Sequence, residues 1–182
     1  MEEISLHILD IAQNSIKAEA GELKIIIDEK PSRDTVVLEI IDNGKGMDPQ
    51  TLRRAGDPFF TTKRRKRYGL GIPLLAQAAE TAGGRFSIDS KPGNGTHLKA
   101  VLQASHIDRQ PLGDMSATIT TLLASHPEID LTYTHQYEND RFVFRTDDIK
   151  SRIGKTPIDS TEVLKFIQSY IQQGLDGIRR KK

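Results

Sequence analysis

Asp42, Gly44 and Gly46 stand two residues apart, directly after the apolar run Val36-Val37-Leu38-Glu39-Ile40-Ile41. A carboxylate at the end of a buried strand can accept a hydrogen bond from an amino group. Glycines beside it let backbone approach a flat ring, because they lack a Cβ and tolerate positive φ. That combination suits a purine pocket, with Met47 closing the segment. Asp-Asn-Gly is also an ordinary turn sequence. The functional reading therefore rests on what accompanies it.

Four polar residues, His7, Asp10, Asn14 and Lys17, recur at helical spacing near the N-terminus and fall on one stripe. Asn14 offers a neutral carbonyl oxygen, a suitable Mg²⁺ ligand where nucleotide phosphates supply the charge. Asp10, one turn earlier, could orient or deprotonate an attacking water. Further on, Phe59 and Phe60 precede Thr61, Thr62 and Lys63, whose hydroxyls and ammonium are donors for phosphate. Gly69-Leu70-Gly71 opens a helical pattern, where free N–H groups and the positive helix end can face an anion. Gly95-Thr96 starts a strand with a hydroxyl that could meet the base. No Gly-Lys-Ser/Thr follows Gly71, and a third dinucleotide-type glycine is missing, so neither of those phosphate motifs is present.

These residues need elements to hold them. The apolar spacing of Ile4, Ile8 and Ile11 with Leu9, Ala12 and Ile16 predicts a helix over 3–19. β-branched runs predict strands over 23–28 and 35–42, joined by Pro31-Ser32-Arg33-Asp34. Asp48-Pro49 starts a short helix over 48–56. A basic loop covers 57–68 and a second long helix covers 69–82. Strands at 85–91 and 96–102 flank Pro92-Gly93-Asn94-Gly95, a hairpin signal. The first domain is expected over 1–103, a linker over 104–113, and a small α+β module over 114–182. Within that module the pattern predicts helices over 114–125, 147–153 and 159–173, a hairpin of 129–136 with 141–146, and a solvated basic tail.

The composition narrows the classes. The chain has 182 residues, a net charge of +1 and no cysteine. Global charge makes no case for nucleic acid or a membrane surface. Disulfides, thiolate metal sites and cysteine nucleophiles are excluded. The start, Met1-Glu2-Glu3, is acidic, and no apolar run is long enough to span a bilayer, so a cytoplasmic protein is expected.

Taken together, Asp10 and Asn14, Asp42-x-Gly44-x-Gly46, Phe59 to Lys63, Gly69-Leu70-Gly71 and Gly95-Thr96 resemble, in order and spacing, the Bergerat-fold (GHKL) ATPases. That group includes gyrase, the ninety-kilodalton heat-shock chaperone, histidine kinases and MutL. The resemblance covers about residues 3–102. Its second half looks most like histidine-kinase ATPase domains, and Asn14 to Ala18 looks as much like MutL. It implies an α+β fold, a two-layer α/β sandwich, with ATP and Mg²⁺ as cofactors. Asn14 would coordinate Mg²⁺, and Asp42 would bind the adenine amino group with Thr96 nearby. Gly44, Gly46, Met47, Phe60, Thr61, Thr62, Gly69, Leu70 and Gly71 would shape the pocket and its lid, and Lys17 and Lys63 would approach phosphate. Asp10 would sit where hydrolysing members carry a glutamate base.

The sequence departs from the kinase pattern at Arg67, which replaces a glycine, and in a short lid filled by Lys63-Arg64-Arg65-Lys66-Arg67. No dimerising hairpin with a phospho-accepting histidine is expected ahead of residue 3. His7 lies in the first helix and is rejected as acceptor, while His97, His106, His126 and His135 show no metal spacing. Three functions follow as expectations. One is an ATPase or kinase acting on a separate protein partner. Another is an ATP-operated switch with little turnover. The third is an anti-sigma-type regulator that phosphorylates serine. A homodimer fits any of them, and the C-terminal module is expected to serve as a partner or dimer surface.

Overall fold

The computed structural model describes residues 3–55 and 70–180. Helix α1 spans Ile4–Lys17, strand β1 Glu22–Lys30 and strand β2 Thr35–Asp42. Helices α2 (Pro49–Arg54) and α3 (Gly71–Thr81) lead into strands β3 (Arg85–Ser90) and β4 (Thr96–Gln103). Helix α4 (Met115–Ser125), strands β5 (Asp130–Tyr137) and β6 (Asp140–Arg145), and helices α5 (Thr146–Ile153) and α6 (Thr161–Arg180) complete the chain.

The strands form one six-stranded sheet in the order β3-β4-β2-β1-β5-β6. All neighbours are antiparallel except β1 and β5, which run parallel over Glu22↔Asp130 to Glu29↔Tyr137. Alternation sorts the side chains by face. Leu23, Ile25 and Ile27 of β1, Leu38 and Ile40 of β2, Leu98 and Ala100 of β4, and Leu131 and Tyr133 of β5 are buried. They share one core with Ile4, Ile8 and Ile11 of α1, Leu75 and Ala79 of α3, Ile119 and Leu122 of α4, and Ile167 and Ile171 of α6. The helices cover this single face, so the fold is the expected two-layer α/β sandwich.

The C-terminal part is tied closely to the rest of the fold. The expected boundary near residue 103 is not a gap: β5 hydrogen-bonds to β1, α4 packs on α1, and one apolar cluster runs through both parts. The expected linker, which holds no helix or strand, is tied down by bonds from Ala104 N to Asp34 O, Ile4 N to Pro111 O and Ser5 N to Leu112 O. The final helix also runs to Arg180 rather than stopping at 173. Gly174 and Gly177 follow the expected end, but Leu175 and Ile178 continue the buried stripe of Val163, Ile167 and Ile171. A Cβ at Gly174 would run into the Phe142 ring, so this glycine lets β6 and α6 close together. Arg179, expected in a solvated tail, instead pairs with Glu29 at 2.7 Å.

Candidate functional site

Asp42 is the last residue of β2, and alternation along that strand places it on the helix-covered face, only 7% exposed. A buried carboxylate requires partners. Ser15 Oγ, from α1, donates to Asp42 Oδ2 at 2.6 Å, and Gly44 N donates to Asp42 Oδ1 at 2.9 Å. A carboxylate has about four lone-pair positions. Two are taken, so Asp42 keeps capacity to accept from a ligand amino group.

The segment after Asp42 lies where side chains cannot fit. A Cβ on Gly44 would meet Ala18 O at 2.8 Å, and one on Gly46 would overlap Lys91 O. Gly46 has φ +66°, which a side chain would strain further. Lys45 N donates to Ala18 O and Gly93 N to Lys45 O, each at 2.8 Å, which seats the segment between α1 and the β3–β4 hairpin. Met47, half-buried, is held through its N–H to Ser90 Oγ at 2.9 Å. Thr96 is opposite Asp42 in the β2–β4 register, and its Oγ1 shares a 3.0 Å hydrogen bond with Ser90 Oγ. Asp42, Gly44, Gly46, Met47 and Thr96 thus surround one end of the sheet.

Helix α1 supplies the other wall. Asn14 is half-buried beside Ser15, and Lys17 is exposed on the last turn. Asp10, also half-buried, reaches across to α3: Gly71 N donates to its Oδ2 at 2.7 Å. Leu70, the residue ahead of α3, offers no side-chain cap, so Asp10 caps that helix from α1. A Cβ on Gly71 would sit 2.7 Å from the same oxygen, so glycine permits this contact. Asp10 therefore lies beside the first turn of α3, where N–H groups and the helix dipole favour negative charge. Phe60, Thr61, Thr62, Lys63, Arg67 and Gly69 lie outside the described residues.

Sequence reasoning missed Ser15 and Ser90. Ser15 follows the apolar positions Ile8, Ile11 and Ala12 at helical spacing, so a hydroxyl there was a signal of a buried polar partner. Ser90, at the end of β3, bonds Met47 N, Gly95 O and Thr96 at once. The histidines are held elsewhere. His7 bonds Gln110, His97 bonds Glu39, and His135 is fully buried between Tyr133 and Glu29.

The arrangement fits a purine nucleotide: a buried acceptor at Asp42, side-chain-free backbone at Gly44 and Gly46, and a helix start at Gly71. For a divalent cation the described residues hold no group of three or more His, Asp or Glu. A neutral donor such as Asn14 fits a cation that keeps waters and takes its charge balance from phosphates.

Comparison with known proteins agrees with this geometry. The family described as histidine kinase-, DNA gyrase B-, and HSP90-like ATPase matches residues 2–106. The sensor protein kinase FleS of Pseudomonas aeruginosa is 38% identical over 95 residues, 52% of this chain and 23% of its own length. The sensor histidine kinase YxdK of Bacillus subtilis is 31% identical over 98 residues, 49% of this chain and 29% of its own. The chain thus spans less than a third of the length of these relatives. The solved N-terminal domain of a DNA repair protein matches with a TM-score of 0.54 at 14% identity, covering 87% of this chain and 59% of that one. At that identity the likeness is one of fold, and it reaches further along the chain than the family match does.

Proposed function

The chain belongs to the histidine kinase-, DNA gyrase B- and HSP90-like ATPases, and from that premise we propose that it binds Mg²⁺-ATP and passes the γ-phosphate to water or to a separate protein in signalling. The observation that carries this reading is the Asp42 carboxylate, buried at a strand end, braced by Ser15 and Gly44, and facing Thr96 across the ladder. Asp42 accepts from the adenine amino group through its unused lone pairs, while Gly44 and Gly46 let backbone lie against the ring. Asn14 is the residue that would hold Mg²⁺, which supplies charge neutralisation at the phosphates when bound. Lys17 adds positive charge at the mouth of α1. Asp10 keeps Oδ1 for a water or hydroxyl nucleophile while Oδ2 stays on Gly71 N.

A second reading is a switch in which ATP changes the affinity for a protein partner with little turnover. It is favoured by one observation: Asp10 already spends an oxygen on capping α3. The experiment that separates the two follows γ-labelled ATP with Mg²⁺ on wild type and Asp10→Asn. Phosphate released by wild type only supports hydrolysis with Asp10 as acceptor of the proton. Bound ATP with retained label supports the switch, or a kinase lacking its substrate. Absence of ATP binding sinks both. Replacing Asp42 with alanine should weaken ATP by about 1.5–3 kcal/mol, the worth of a charged hydrogen bond, and calorimetric titration reads this directly.

A further inference from the structure

Strands β2 and β4 run seven residue steps from Asp42 and Thr96 to Thr35 and Gln103, a span of roughly 24 Å at about 3.4 Å per residue. At that distant end lies a cavity of about 380 Å³. Arg33 and Asp34 of the β1–β2 turn, Gly83 and Gly84 of the α3–β3 turn, Arg85 of β3 and Val101 of β4 are among the residues that line it. The volume is in the range of small-ligand sites, roughly 300–1,000 Å³.

Arg33 and Arg85 bring two positive charges to this cavity. Lys30, Lys99, Lys150, Arg179 and Arg180 each have a carboxylate within ion-pair distance. The Arg85 side chain takes part in no hydrogen bond or ion pair among the described residues. Arg33 is felt by Glu138, whose carboxyl it helps hold below the usual range after the hydrogen bonds from Ser32, but it forms no ion pair there. The one carboxylate lining the cavity, Asp34, forms no ion pair with either arginine and is bonded elsewhere. Its Oδ1 accepts from Ser105 N at 2.7 Å, and its Oδ2 from Gln103 Nε2 and Ser105 Oγ, each at 2.8 Å. Those bonds hold its carboxyl below the usual range, led by Gln103, so it stays ionised and engaged. Two guanidinium groups, each a planar fork of donors, therefore line a concavity whose own acid is already satisfied.

We propose that this cavity is a second binding site, for a small anion bearing a phosphate or carboxylate group, gripped by Arg85 and Arg33. It does not depend on the nucleotide reading of the opposite end. A guanidinium pairs bidentately with either group, so the chemistry is shared and the source is decided by experiment. The full chain is titrated with inorganic phosphate and separately with citrate at low ionic strength. Calorimetry reads affinity and backbone amide shifts read location.

The expected result is saturable binding of at least one probe, with shifts centred on Asp34, Gly83, Gly84 and Arg85. Arg85→Ala should weaken it about tenfold or more. Arg85→Lys should weaken it less, because charge is kept and the fork lost. Arg145→Ala, at the other side of the sheet, should leave it unchanged. A response to phosphate alone makes the ligand phosphate-bearing, and to citrate alone carboxylate-bearing. Lack of saturation, affinity indifferent to Arg85→Ala, or shifts confined to Gly44, Gly46 and Gly71 would each overturn the assignment.

Discussion

Asp10 can be asked two questions with two substitutions. Asparagine at position 10 keeps an oxygen for Gly71 N but cannot take a proton. Alanine keeps neither. If Asp10 accepts the proton of the nucleophile, Asp10→Asn should lower turnover by about 10²–10⁴-fold, the range for general-base removal, while thermal stability and ATP affinity hold. Asp10→Ala should lower turnover and also remove about 1 kcal/mol of stability through the lost cap, seen as a drop in melting temperature. Full turnover in Asp10→Asn, with the loss of stability confined to Asp10→Ala, would make Asp10 a cap alone. Ser15 gives a companion prediction. Ser15→Ala leaves Asp42 with one hydrogen bond in a buried place, so nucleotide affinity should weaken by about 1 kcal/mol in a calorimetric titration. Unchanged affinity would mean Asp42 needs no brace. At this scale the sequence was a good guide to charged residues and glycines, whose types announce their chemistry. It hid Ser15 and Ser90, because a serine carries the same letter whether it is solvated or bonded to a buried carboxylate.

Elements were legible where a local period decided them. Helix α1, strands β1 and β2 and the β3–β4 hairpin follow apolar spacing or turn chemistry closely, with Asp48 capping α2 through Gln50 N and Thr51 N as its Asp-Pro start implies. Reading failed where a partner element overrides local preference. Gly174 weakens a helix intrinsically, yet Phe142 lies where its Cβ would be and the buried stripe continues to Ile178. The parallel pairing of β5 with β1 is likewise invisible locally, since the partners Leu23 and Leu131 stand 108 residues apart in the chain. The segment Asp42 to Met47 is the element on which the site depends most. Gly46→Ala would force a side chain into positive φ and against Lys91 O. It should lower stability by about 1–3 kcal/mol in a denaturant titration and loosen nucleotide binding with it. A fully stable variant would show that the segment can relocate.

The whole molecule is closed by a polar lock far from Asp42. Burial alone would raise the Glu29 carboxyl, but hydrogen bonds from His135 and Arg179, with the Arg179 charge, outweigh it and bring its pKa down to about 2. Tyr133, buried against His135, is pushed above its ordinary range by burial and by Glu29. A carboxyl whose folded pKa is depressed stabilises above its unfolded value and loses that contribution as pH falls. Stability should therefore decline from about pH 4.5 down to pH 2, and Glu29→Gln should flatten that part of the profile. An unchanged acid limb would exonerate Glu29.

The same lock joins β1 to β5 and α6, which bears on how much chain the nucleotide end requires. A chain cut after Gln103 would strip β5 from β1 and uncover the side of α1 that α4 covers. Ile25 and Ile27 would become part of an open edge, and an open apolar edge pairs with other chains. The expected outcome of expressing residues 1–103 is an aggregating or unfolded product, and the full chain should give one cooperative transition. A soluble 1–103 that binds ATP would instead mean that α1, α3 and four strands suffice, and that residues 104–182 are an addition to a core already stable without them.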